Sequence, residues 1–104
     1  MGRFRLSRRA KVDLLSIGDS TLHKWGKARA ARNIGELKVC CQTLADNPAL
    51  GRLWDHVRPG LHRHKPGTHV VFYRPERGGI VVSRILHQRM LPDRHAMDGE
   101  DNEK

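Results

Sequence analysis

Thr68-His69-Val70-Val71-Phe72-Tyr73-Arg74-Pro75-Glu76-Arg77-Gly78-Gly79-Ile80-Val81-Val82-Ser83-Arg84-Ile85-Leu86-His87 reads as two strands and the turn between them. Residues 68–74 and 80–87 alternate or run β-branched and aromatic, while Pro75 to Gly79 carries the proline and paired glycines of a hairpin connection. The same period begins earlier, at Leu61, and runs to Lys65 before Pro66-Gly67 interrupts it. Three consecutive strands therefore predict an antiparallel meander in the C-terminal half.

Upstream the period changes to that of a helix. Ala10, Leu14, Ile17, Thr21, Leu22 and Trp25 fall at three- and four-residue spacings, with Ser7 in front as an N-cap. Gly26 is placed to end this helix in a left-handed cap. A second stripe follows at once: Ala28, Ala31, Ile34, Leu37, Cys41, Leu44 and Ala45, closed by Asp46-Asn47-Pro48. Gly18 and Gly35 sit inside these helices, where glycine costs about 1 kcal/mol relative to alanine. Residues 48–60 hold Pro48, Gly51, Pro59 and Gly60 around Leu53 and Trp54, an irregular connection. At the N-terminus Phe4-Arg5-Leu6 alternates as a short strand.

The predicted order is βααβββ. The fold class is α+β: a helix hairpin packed on a small antiparallel sheet, the first strand joining an edge. A chain of 104 residues has room for one core and no interdomain cleft. Residues 1–96 form a single domain, and residues 97–104 are expected to be a disordered acidic tail.

The formal charge is +9, and setting aside residues 98–104 leaves 19 basic and 7 acidic residues, a net +12. Such a surface favours an acidic protein or a polyanion through long-range attraction. Cys40 and Cys41 are adjacent and make no disulfide framework. No apolar run has the length of a secretory signal core or a membrane span, so a reducing cytoplasmic setting is expected.

Five stretches, in this order, resemble the ParE branch of the RelE/ParE toxin superfamily. They are Phe4-Arg5-Leu6-Ser7-Arg8-Arg9-Ala10, Asp46-Asn47-Pro48-Ala49-Leu50-Gly51, Arg58-Pro59-Gly60-Leu61, Gly67-Thr68-His69-Val70-Val71-Phe72-Tyr73-Arg74 and Ile85-Leu86-His87-Gln88-Arg89-Met90. Departures are Gly18, Gly35, the Leu53-Trp54-Asp55-His56 stretch and the tail after Met97. The resemblance implies the toxin of a type II toxin–antitoxin system, neutralised by a ParD-like antitoxin in a heteromeric complex. For the ParE branch it implies DNA gyrase as the target, with replication blocked.

An apolar groove left imperfectly covered by so short a chain would suit a partner's amphipathic helix or added strand. Leu14, Leu15, Leu22, Trp25 and Leu37 are the candidate antitoxin contacts, Leu15 and Leu22 lying at the stripe margin, while most other stripe residues face the sheet. The candidate target surface is Arg84, His87, Arg89, Met90, Leu91 and Arg94, which mixes charge with adaptable apolar side chains.

The superfamily's other branch consists of ribosome-dependent mRNA endonucleases. Metal-independent RNA cleavage needs a base, an acid and cations for the phosphorane. His69 and His87 are the candidate acid–base groups and Arg84 the candidate cation, but strand parity does not bring all the basic groups together. The nuclease branch carries a tyrosine or His–Tyr pair near its C-terminus, and Tyr73, the sole tyrosine here, lies in the middle strand. A binder rather than an enzyme is expected. His62, His64 and His69 lack a supporting cysteine or carboxylate, so no metal is expected, and no phosphate loop calls for a cofactor. With five aromatic residues and no basic helix bearing stacking groups, direct nucleic-acid binding is disfavoured.

Overall fold

The computed structural model describes residues 2–54, 58–65 and 67–87. The order of elements is β1 (Arg3–Leu6), α1 (Arg8–Trp25), α2 (Lys27–Asp46), a 3-10 turn (Pro48–Leu50), β2 (Arg52–Leu53), β3 (His62–His64), β4 (His69–Glu76) and β5 (Gly79–His87). The five strands form one sheet in the order β1-β5-β4-β3-β2.

Local chemistry explains the helix boundaries. The Ser7 hydroxyl accepts a hydrogen bond from the Ala10 amide at 3.0 Å and donates to the Ser83 carbonyl at 2.9 Å, so one side chain starts α1 and fastens it to β5. Gly26 has φ +92°, as a terminating glycine should, but its ψ of 175° is extended rather than left-handed helical. Its amide closes α1 on the Leu22 carbonyl and its carbonyl accepts from Ala30, so a single residue ends one helix and begins the next.

Two strand pairings differ from the sequence expectation. The chain returns from β1 through the whole helix hairpin, and β1 pairs with β5 in parallel, Arg3 opposite Gly79 and Leu6 opposite Val82. The sheet is therefore mixed rather than wholly antiparallel. The connection expected to be irregular contains β2, which pairs with β3. Strand β4 also runs further than expected, through Pro75 and Glu76, leaving Arg77-Gly78 as the turn, with Gly78 at φ +82°. A Cβ at Gly79 would strike the backbone of Arg3, so glycine there is what allows β1 to dock.

The principal core lies between helices and sheet, with Ala10, Leu37, Cys41, Leu44 and Ala45 against Val71, Tyr73, Ile80, Val82 and Ile85. A smaller cluster, Leu61, Val70, Phe72 and Leu86 with Trp54 packed on it, covers the other face. Both faces of the central strands are thus buried, which explains why residues 70–73 read as a continuous apolar run instead of alternating. Tyr73 ties the connection down: its hydroxyl donates to the Pro48 carbonyl at 2.6 Å and accepts from the Gly51 amide at 2.9 Å. Any side chain at Gly51 would collide with that ring.

Candidate functional site

A groove of about 690 Å³ runs between α1 and α2 along the edges that face away from the sheet. Its apolar lining comes from Leu14, Leu15, Leu22, Ala30, Ala31 and Ile34, and Asp19 and Lys38 stand on its rim. Leu15 is 74% exposed, an unusual position for a leucine that a helix stripe would ordinarily bury. Both mid-helix glycines open into this groove. A Cβ at Gly18 would come within 3.3 Å of Ile34 Cδ1, so the missing side chain lets the helices approach. A Cβ at Gly35 would meet nothing within 4 Å, so its absence leaves the groove unfilled.

Of the five residues expected to contact an antitoxin, Leu14, Leu15 and Leu22 line the groove. Leu37 is 5% exposed and belongs to the core beneath it. Trp25 lies elsewhere, at the corner of the hairpin, with the Arg29 guanidinium 5.5 Å from its ring centroid. The small residues that shape the groove, Gly18, Ala30, Ala31 and Gly35, were not singled out as contacts from sequence; their spacing across two adjacent helices was the available signal.

A second concavity of about 450 Å³ opens on the opposite edges of the same helices, against the ends of β4 and β5. His69 and His87 pair directly across the two strands and meet edge to face, with ring centroids 5.2 Å apart. Burial, and secondarily the neighbouring His87, lowers the His69 pKa. Arg84 is not part of this cluster. Its guanidinium binds both carboxylate oxygens of Asp13, at 2.7 and 2.9 Å, and Asp13 also accepts the Ile85 amide at 2.9 Å. With the two side chains only 13% and 12% exposed, this pair fastens α1 to β5. The register irregularity at Phe72/Tyr73 sets Arg84 opposite Phe72 and leaves Ser83 as the extra residue of β5. Arg89, Met90, Leu91 and Arg94, and the acidic tail at 97–104, lie outside the described residues.

The Tyr73 phenol sits above its usual range, chiefly through burial. Both cysteines are free; burial, with Cys40 adjacent, pushes the Cys41 thiol up to about 12. Among the described residues no group of three or more His, Cys, Asp or Glu side chains could hold a metal, and no helix is long and apolar enough to cross a membrane.

The family described as the ParE toxin of the type II toxin–antitoxin system parDE matches residues 4–92. Toxin ParE1 of Mycobacterium tuberculosis strain H37Rv is 40% identical over 94 residues, covering 89% of this chain and 96% of that protein. Toxin ParE1 of Caulobacter vibrioides is 39% identical over 97 residues, covering 91% and 98%. The fold matches a solved structure of a chromosomal ParDE toxin–antitoxin system from P. aeruginosa at TM-score 0.69 and 21% identity, across 84% of this chain and 96% of that one. With a family match over nearly all of the folded region and two such relatives, the chain belongs to the ParE toxins of type II toxin–antitoxin systems.

Proposed function

We propose that this toxin is held inactive by a ParD-like antitoxin whose amphipathic helix lies in the α1–α2 groove, and that the released toxin poisons DNA gyrase and blocks replication. The groove is the observation that supports the antitoxin seat. It is apolar along its floor, bordered by one acid and one base, and kept open by Gly35. A helix presenting apolar side chains at three- and four-residue spacing would cover Leu15 and Leu22, which the chain's own fold leaves exposed. The solved ParDE system of the same fold supports a heteromeric complex of this kind.

Inhibition by binding, in the cytoplasm and without a cofactor, is the reading that membership in the ParE branch favours. The only tyrosine is buried and its hydroxyl is occupied on both sides, which removes it as a catalytic group. Arg84 is held by Asp13, so target contact is assigned to His87 and the segment carrying Arg89, Met90, Leu91 and Arg94. Induced expression alone and with the adjacent antitoxin, followed by gyrase supercoiling and cleavage assays, tests this function. Gyrase inhibition with translation intact is the expected result. Arg89→Ala with Met90→Ala should abolish toxicity while antitoxin binding persists.

One observation favours a second reading. The His69–His87 pair brings an acid and a base within reach of one ligand, as an endoribonuclease would require. Blocked translation with cleaved mRNA, abolished by His69→Gln, would establish that reading and displace the first.

A further inference from the structure

The concavity beside the histidine pair shares no lining residue with the groove assigned to the antitoxin. Its chemistry is also different. Lys24 at the end of α1, Arg29 in the first turn of α2, His69 at the start of β4 and His87 at the end of β5 all border it, and none of its lining residues among the described ones is acidic. Ser16 and Ser20, both exposed on α1, add hydroxyls. At the corner the Trp25 indole remains 66% exposed, with Arg29 over its ring. Four nitrogen-bearing side chains from four elements, with no carboxylate among the described lining residues, suit an anion. An exposed aromatic plane beside them favours an anion that carries a ring. The volume of about 450 Å³ falls within the range of roughly 300–1,000 Å³ usual for small-molecule sites.

We propose that this cleft binds a nucleotide phosphate, the base stacking at Trp25 and the phosphate held by Lys24, Arg29 and the His69–His87 pair. The phosphate belongs either to a free nucleotide or to the end of a single strand, and the recognition chemistry is common to both. Arg29 supplies a planar fork suited to phosphate oxygens, and Lys24 supplies a second charge. His69 can offer a ring N–H to a phosphate oxygen from the start of β4, where burial lowers its pKa. Glu36 borders the adjoining cleft that also touches His69 and Thr68.

Calorimetric titration of the full chain with ADP, a 5′-phosphorylated dinucleotide, pyrophosphate and a poly-glutamate peptide tests the proposal. ADP or the dinucleotide should bind, with affinity reduced at least tenfold in Arg29→Ala and unchanged in Arg52→Ala, which removes the same charge from β2. Tighter binding of ADP would assign a free nucleotide, and tighter binding of the dinucleotide a strand end. The proposal is overturned if neither binds, if pyrophosphate or the acidic peptide binds as well as the nucleotides, or if both arginine variants weaken binding equally. Arg29 is exposed and lies over the Trp25 ring outside the core, so its replacement leaves the core untouched.

Discussion

Helix α1 carries apolar side chains on two faces, and they have different fates. Ala10 is buried against the sheet, and Leu14 and Ile17 are partly buried against the same core, while Leu15 and Leu22 on the outer face remain in water. In α2 the division repeats: Leu37, Cys41 and Leu44 are buried, whereas Ala31 and Gly35 border the groove. What separates the two faces is that, among the described residues, the sheet covers one face only. An exposed apolar stripe on an otherwise packed helix pair is the kind of surface that a second molecule would cover, as proposed for the antitoxin.

That division is broken most severely from the inside. Leu44, fully buried beneath α2, should lose about 2–5 kcal/mol of stability on Leu44→Ala, read by chemical denaturation. Asp13→Ala should cost about 3 kcal/mol, because it removes both carboxylate hydrogen bonds from the shielded Arg84 guanidinium and strips the Ile85 amide of its acceptor. Substitutions on the outer face should behave otherwise. Gly35→Ala should stabilise the free toxin by about 1 kcal/mol, since the new methyl meets nothing and the helix loses a flexible residue. Leu15→Ala should change unfolding by less than about 0.5 kcal/mol, yet weaken antitoxin binding at least tenfold.

The smallest expected effect is a pH dependence. The His69 pKa is lower in the folded chain than its ordinary value of 6.5, so the folded state resists the proton that the unfolded chain accepts. Stability from this group is complete above pH 6.5 and declines as the pH falls below it. Denaturation midpoints at pH 7.5 and 5.5 should differ less in His69→Gln than in the parent chain.

Much of the architecture was legible because local signals agreed with the tertiary outcome. Ser7, Gly26 and Pro48 mark helix boundaries by their own chemistry, and the period changes from helical to strand-like after Gly60. The parallel pairing of β1 was not legible, because nothing in Phe4-Arg5-Leu6 records which neighbour it joins; that depends on Gly79 admitting the Arg3 backbone. Strand β2 was hidden for a similar reason: two residues, Arg52 and Leu53, carry no period. At the candidate site, spacing placed Leu14, Leu15 and Leu22 on one surface but included Leu37, one step around the helix and buried. The cross-strand meeting of His69 and His87 depends on a register 18 residues apart in sequence, and the Asp13–Arg84 pair on contacts 71 residues apart. Gly18 and Gly35, read from sequence as blemishes in two helices, acquire a purpose only when the helices are side by side.

Gly35→Leu offers the most direct test of the groove as the antitoxin seat, since the added side chain projects from a position where a Cβ meets nothing. The dissociation constant of the antitoxin for this variant should rise at least a hundredfold, with the melting temperature of the free toxin unchanged or higher. Antitoxin binding at the parent affinity, in a variant that remains folded, would contradict the assignment and move the seat elsewhere on the toxin.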